Sequence, residues 1–492
     1  MKAKIHFLLS LFFVLPSSLL AQEKSEPKES DYYTITPIRP PQGVHPEVSG
    51  LEVDDKGNLY AGTRRGDIYQ ITNAYSDAEP KWGLWAQGLH ESLGLVWRDG
   101  WLWATQRPEI TKIKDKDGDG RADLFHTVSD DWGINGDYHE YNFGALNPKD
   151  GNIWVVLCLT GSGGYSSDFR GWAVRVTPEG EMIPVASGIR SPGGIGVNAE
   201  GEVFYCDNQG PWNGSSSMKH LKPGSFQGNP TGWKAFDQLN KDFLSGKPEA
   251  PESGGRTVTE REKIAEYVPP ALMLPHGKIG QSPTGITYFP LNGKFGPFEG
   301  QILIGEQTHS QIQRGFLEKV NGVYQGAAFH FLGGFESGTI AVKMDMEKGV
   351  VFTGGSNRGW GARGGKAFNL ARVNWNGKIP FEVHEMRAKP DGFELTFTKP
   401  VDPKTAGDIA SYAIKAYTYK YQSSYGSPEV DHVEPTIKSA KVGADGKSVK
   451  LVIDPLTKGH VHELQMDGVT SKDGGRLLHR VGYYTLNEIP KQ

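Results

Sequence analysis

The strongest constraint on this chain is a unit that returns six times. It reads glycine, an apolar-x-apolar strand, a short polar turn ending in glycine, a second apolar strand and a polar loop. The copies are SGLEVDDKGNLYAGTRRG (Gly50, Gly57), LGLVWRDGWLWATQRP (Gly94, Gly100) and FGALNPKDGNIWVVLCLTG (Gly144, Gly151). They continue as GGIGVNAEGEVFYCDNQG (Gly194, Gly201), TGITYFPLNGKFGPFEGQILIGEQTHS (Gly285, Gly300) and SGTIAVKMDMEKGVVFTGGSNRG (Gly338, Gly349). The first glycines stand 44, 50, 50, 91 and 53 residues apart. A period of this length, with two clear strands and weaker ones after them, predicts one four-stranded blade per unit.

Six units predict an all-β, six-bladed β-propeller over 36–378, with an insertion at about 209–279 in the long interval. An irregular β-sandwich is the alternative. Composition agrees with an all-β chain: 64 Gly, 12 Trp and 19 Tyr among 492 residues, with short β-branched and aromatic runs in place of helical periodicity. After Asn376-Gly377 the repeat stops. Residues 379–492 carry alternating runs such as GFELTFTKPV and KSVKLVIDPL. They predict a small C-terminal β-sandwich of immunoglobulin-like type, a spacer or partner-docking module.

Residues 1–21 have a basic start, an apolar core and a small-residue end, the pattern of a cleavable secretory signal. The expectation is a periplasmic or secreted protein that does not span the membrane, with 22–35 as a flexible leader. A net charge of −4 argues against nucleic acid as a partner. The two cysteines, Cys158 and Cys206, sit in apolar runs; a disulfide and two buried thiols are equal readings.

In a propeller the first strand of each blade lines the central channel. The loop leading into it and the loop leaving the second strand share one face, where chemistry usually sits. At the first position come His45, His90, His139, Arg190, Gln281 and Gly334. At the second come Arg64-Arg65, Gln106-Arg107, Thr160-Gly161, Asp207-Asn208-Gln209, Glu306 to His309, and Ser356-Asn357-Arg358. A mouth lined this way suits a polar or anionic ligand, with Trp212 or Trp360 as stacking walls. His139 is the candidate general base, because Asp137 or Glu140 can orient its ring. Arg190 is the candidate for stabilising developing negative charge.

Between the second and third units, KDKDGDGRADLF places Asp115, Asp117, Asp119 and Asp123 at positions 1, 3, 5 and 9 of a loop, with Gly120 at 6. This is the pattern of a hard-cation, oxygen-donor site, and Arg121 at position 7 completes the candidate ligand set. Position 12 is His126 and no helix pattern flanks the loop, so it reads as a stand-alone Ca²⁺ loop, steadying the segment that feeds His139.

These stretches resemble the soluble glucose/sorbosone dehydrogenase group, six-bladed propellers that use pyrroloquinoline quinone (PQQ) and Ca²⁺. YHEYNFGALNPKDGNIWV, IRSPGGIGVNAEGEVFYCDNQGP and QSPTGITYF are similar to that group's blade openings. The resemblance implies that His139 removes a sugar hydroxyl proton during hydride transfer to the quinone and that Arg190 contacts the quinone. His45, His90, Asn208, Gln281, Asn357, Arg358 and Arg363 are the remaining candidate cofactor contacts. DKDGDGRADLF, FGPFEGQILIGEQTHSQIQRGFLEKVNGVYQGAAF, GGSNRGWG, IPFEVHEM and YYTLNEIP are more similar still to exported, membrane-bound dehydrogenase-like proteins of planctomycete and Bacteroidetes-type bacteria, some fused to cytochrome c. The implied function is a quinoprotein-like dehydrogenase of a sugar or polyol with a cytochrome c acceptor. A cofactor-free polysaccharide lyase or hydrolase, using His139, His90, His309 and Arg358, and a non-catalytic glycan-binding propeller are the alternatives.

Overall fold

The structure is a computed structural model describing residues 26–239, 246–359 and 361–491. The segment expected as a signal, and Trp360, lie outside the described residues. Five four-stranded sheets and the first half of a longer one follow the six repeats. Blade one runs Val48–Val53, Leu59–Thr63, Ile68–Thr72 and Lys81–Ala86. Blade two runs Gly94–Arg98, Trp101–Thr105, Ile110–Lys114 and Leu124–Ser129. Blade three runs Asn142–Leu146, Ile153–Leu157, Trp172–Val176 and Met182–Ser187. The innermost strand of each blade touches those of the blades before and after it, and the sixth touches the first, so the ring closes. The architecture is a six-bladed β-propeller.

The two glycines of each repeat have separate causes. The second closes the turn between the first two strands at positive φ: Gly57, Gly100, Gly151, Gly201, Gly300 and Gly349 lie between 66° and 83°. The first lets neighbouring blades converge. A Cβ on Gly94 would stand 2.3 Å from the carbonyl oxygen of Gly144, and one on Gly144 would stand 2.0 Å from Oγ1 of Thr105.

Two expectations about the blades change. The long interval between the fourth and fifth units contains the outer half of blade four. Its strands are Pro192–Val197, Val203–Asp207, Ser216–His220 and Leu272–Leu274. The added material is therefore 221–271, between the third and fourth strands. The end of the expected leader is also structured. Tyr33–Pro37 is the outermost strand of blade six, paired antiparallel to Phe368–Trp375. The ring is thus clasped by strands from both ends of the propeller.

The C-terminal residues form one more four-stranded sheet, built on Val383–Lys389, Gly392–Phe397, Thr436–Val442 and Ser448–Asp454. Four further strands extend blade five. Val323–Leu332 pairs with Val481–Leu486 through Gly326↔Thr485, Ala327↔Tyr484 and Ala328↔Tyr483, giving a sheet of eight. Phe316 and Phe329 of blade five share one core with Val383, Phe393, Leu451, Leu464 and Tyr484. Arg314, fully buried in blade five, donates to the carbonyl oxygens of Val383 (2.7 Å) and His384 (3.3 Å). At the same side His479 bridges Glu382 (2.6 Å) and Glu29 (3.1 Å), tying the N-terminal residues to the C-terminal ones. Burial opposes the charge on His479, but the two carboxylates outweigh it and push the imidazole up to about 9.

Cys158 and Cys206 are separate, buried thiols. Among the described residues no helix is long and apolar enough to cross a membrane.

Gly144→Val forces Thr105 or the strand out of place. It is expected to cost about 1–3 kcal/mol in urea unfolding. Gly163→Ala, where an added Cβ meets nothing within 4 Å, should be neutral. Equal stabilities would show that the blades can spread.

Candidate functional site

Because strands alternate in direction, the loops leading into the first strands and leaving the second strands meet at one end of the ring. They enclose a cavity of about 430 Å³. Of the sequence-predicted residues, Arg64, His139, Arg190, Asn208, Gln209, Gln281, Gln307, Thr308 and Arg358 line it. The described lining has three arginines (Arg64, Arg190, Arg358), two histidines (His139, His276) and no carboxylate.

His139 lies just before blade three. Its side chain is one-quarter exposed, with Nδ1 4.0 Å from Asp137 Oδ1. The same Asp137 oxygen accepts the backbone N–H groups of His139 and Gly161, each at 2.8 Å, which fixes the loop. Burial, with Arg190 and Arg107 nearby, outweighs Asp137 and holds the imidazole below its ordinary value. It is therefore neutral at pH 7, the form that accepts a proton. Glu140 does not orient it: fully buried, Glu140 accepts from Thr160 Oγ1 (2.6 Å), Ser167 Oγ (3.0 Å) and Asn135 N–H (2.8 Å).

The arginines are mostly struts. Arg107 donates to the carbonyls of Asp137 (2.7 Å) and Tyr138 (2.6 Å), so it carries the loop that bears His139. Its Nε pairs with Glu91 at 2.5 Å, and Arg64 Nε reaches the other Glu91 oxygen at 2.9 Å. Arg64 also donates to Tyr141 Oη at 2.9 Å. The sequence makes Arg190 a cofactor anchor, and the structure gives it another task. Its guanidinium donates to Ser162 O (2.8 Å), Ser162 Oγ (3.0 Å) and Gln209 O (2.6 Å), joining the loops of blades three and four. It acts on the cavity through its charge. Arg358 pairs with Glu47 at 2.8 Å but keeps a side chain 53% exposed, the freest of the three guanidiniums in the wall. Asn208 Oδ1 is buried without a hydrogen-bond partner.

Four predicted contacts fall outside the lining. His45 is exposed and packs edge-on to Phe368, and His90 is exposed too. In these blades the entering loop's backbone pairs with the following loop (Arg64 N–H to Glu47 O, Arg107 N–H to His90 O), and in blade one it is Arg64 that reaches the cavity. Asn357 donates to Gly365 O, and Arg363 is exposed, its N–H on Thr308 O. Trp212 packs against Tyr421, and His309 is buried behind Glu306, so neither lines the cavity.

Sequence reasoning missed the aromatic wall: Tyr138, Tyr141 and Phe143 just before and within the first strand of blade three, and Tyr425 from the C-terminal extension. The short spacing Y-x-x-Y-x-F around His139 carries the first three; nothing local signals the fourth.

Asp115, Asp117 and Asp119 bring carboxylate oxygens within 4.8 Å of one another in an exposed loop. Asp123 stands apart from that group, its Oδ1 accepting from Lys116 N–H at 2.8 Å, and Arg121 N–H donates to Asp119 Oδ1 at 2.8 Å. The loop joins the third and fourth strands of blade two, at the end of the blade opposite the cavity. It does not steady the His139 segment, which Arg107 holds.

A family described as a domain of unknown function, DUF7133, matches residues 47–325, more than half of the chain. The chain belongs to this family. The DUF7133 match runs from blade one into the last strand of blade five, so it includes His139 and Arg190 and stops short of Arg358 and Tyr425. No curated protein matches the chain in sequence. Among solved structures it is similar to a putative oxidoreductase (glucose dehydrogenase) from Thermus thermophilus, at 17% identity and TM-score 0.50, over 69% of this chain and 99% of that one. It is similar to a second structure titled glucose dehydrogenase, at 14% identity and TM-score 0.50, over 70% of this chain and all (100%) of that one. A third is the PQQ-bound aldose sugar dehydrogenase of Streptomyces coelicolor, at 16% identity and TM-score 0.48, over 70% and 98%. At these identities the first two likenesses establish the fold.

Arg107→Ala removes both bonds to the 137–138 carbonyls and leaves Glu91 with one partner. It is expected to destabilise the protein by about 3 kcal/mol and to open residues 134–140 to limited proteolysis. Unchanged cleavage would show that the strut is dispensable.

Proposed function

We propose that this DUF7133 protein is an exported oxidoreductase that oxidises a hydroxyl group of a sugar or polyol. It stands with the dehydrogenase-like proteins its sequence resembles. The observation that carries the reading is a neutral histidine in a cavity walled by arginines, with no carboxylate in the described lining. Such a wall favours an anionic ligand, and the donor set fits a planar, carboxylate-bearing quinone of the PQQ type. When bound, that group supplies the hydride acceptor. Arg358 would hold a carboxylate, Arg64 would add charge from the adjoining loop of blade one, and Asn208 and Gln281 would offer their amides. His139 takes the hydroxyl proton on its imidazole, and the fixed charge of Arg190 favours the oxyanion that develops. A cytochrome c is the electron acceptor. Ca²⁺ binds at Asp115, Asp117 and Asp119 and serves stability, because the loop is at the far end of blade two.

Purified protein reconstituted with PQQ and Ca²⁺ is expected to show quinone absorbance and to reduce a dye with members of an aldose panel. His139→Gln should lower the rate by about 10²–10⁴ while keeping the quinone. Absence of both quinone binding and dye reduction would overturn the reading.

The imidazole must be unprotonated, and its value lies below the ordinary ~6.5. The rate, kcat/KM, is therefore expected to be at its plateau above neutrality and to fall to half only below that ordinary value. A decline beginning near pH 8 would assign the base to another group.

Ca²⁺ is expected to raise Tm, EGTA to reverse the rise, and Asp117→Asn to abolish it with kcat unchanged. A rise that survives Asp117→Asn would place the ion elsewhere.

A further inference from the structure

Two of the exposed large hydrophobic side chains of the described residues stand on the cavity rim: Tyr138, 43% exposed, and Tyr425, 67% exposed. Tyr138 is already engaged, edge-on to His139 and to Tyr141. Tyr425 differs. It sits in the loop between Ala413–Tyr419 and Glu429–Val433, far along the chain from every blade.

That loop is fixed against blade four. Trp212 N–H donates to Gln422 O at 2.7 Å, Gly426 N–H donates to Gly210 O at 3.1 Å, and Pro211 and Tyr425 form an isolated β-bridge. Gln422 Nε2 crosses the loop to Gly426 O at 2.9 Å. The Arg190 guanidinium lies 5.2 Å from the Tyr425 ring centroid and is itself held by Ser162 and Gln209. The ring therefore has a fixed backbone and a fixed cation over one face, and still presents two-thirds of its surface to solvent beside the cavity.

An aromatic side chain with two torsions, held in place before a ligand arrives, offers large contact area at low entropic cost. The π-face turned away from Arg190 matches the C–H face of a pyranose, whose ring hydroxyls are left to the polar wall. We infer that Tyr425 is the stacking platform for the pyranose ring of the substrate, supplied to the propeller's site by the C-terminal extension. The inference rests on the reading of the cavity as a sugar site and adds to it a specificity-determining residue and a ligand geometry. The C-terminal residues are then part of the site, where the sequence suggested a spacer or partner-docking module.

The test uses the full chain and direct binding by calorimetry, with glucose, cellobiose and the acyclic polyol sorbitol as probes, and with quinone absorbance in parallel. Wild type is expected to bind the two pyranosides. Tyr425→Ala should weaken both by about tenfold, leave sorbitol and quinone binding as they are, and keep Tm. Tyr425→Phe and Tyr425→Trp should bind within about twofold of wild type, since the ring face is what matters. Equal binding by wild type and Tyr425→Ala overturns the assignment and leaves the sugar site intact. So does a Tyr425→Phe protein as weak as the alanine variant, which would make the hydroxyl the contact, or loss of quinone in place of sugar. A wild type that binds none of the probes overturns the sugar reading itself, and this inference with it.

Discussion

Six strands can run side by side around one axis only where their backbones come closer than a Cβ allows. Gly94 lies against the backbone of Gly144, and a Cβ on Gly194 would stand 2.5 Å from the carbonyl carbon of Thr284. That close approach is what the repeat encodes, and the rest of the molecule depends on it. It sets the diameter of the ring, and so how near the six sets of loops come to one another. The cavity is the space left where they meet. Its floor is apolar: Leu93, Phe143 and Ile340 face both this cavity and the channel that opens at the other end.

The blades are legible because their causes are local. A turn needs positive φ and a convergent strand needs a missing side chain, so both leave glycines at fixed offsets. The same reasoning puts His139, Arg190, Asn208, Gln281 and Arg358 at the cavity. It fails for His45 and His90 because offset along the chain fixes which end of a blade a residue occupies, not which way its loop turns. It also gives Arg190 the wrong freedom: nothing in the sequence says that Ser162 and Gln209 will take up its donors. The C-terminal half of the eight-stranded sheet reads as strands but not as an extension of blade five, since pairing between Gly326 and Thr485 has no local signature. The same holds for Tyr33–Pro37 and its partner in blade six.

A common device runs through the parts that local pattern does not explain. Buried guanidiniums gather backbone carbonyl oxygens. Arg107 does so for residues 137 and 138, Arg190 for 162 and 209, Arg314 for 383 and 384, and Arg372 for 74 and 76. A rigid fork of donors suits backbone acceptors carried into the interior. In the cavity the same groups also supply positive potential, so structure and chemistry draw on one set of charges. Burial and these charges together keep His139 unprotonated.

The eight-stranded sheet has a consequence for how a ligand gets in. A backbone ladder from Val323–Leu332 into Val481–Leu486 leaves no linker about which the C-terminal strands can swing. The mouth is framed on one side by Tyr425 of the C-terminal extension. His139 therefore lies in a cavity whose wall is built from both ends of the eight-stranded sheet's chain order, the blades and the C-terminal extension.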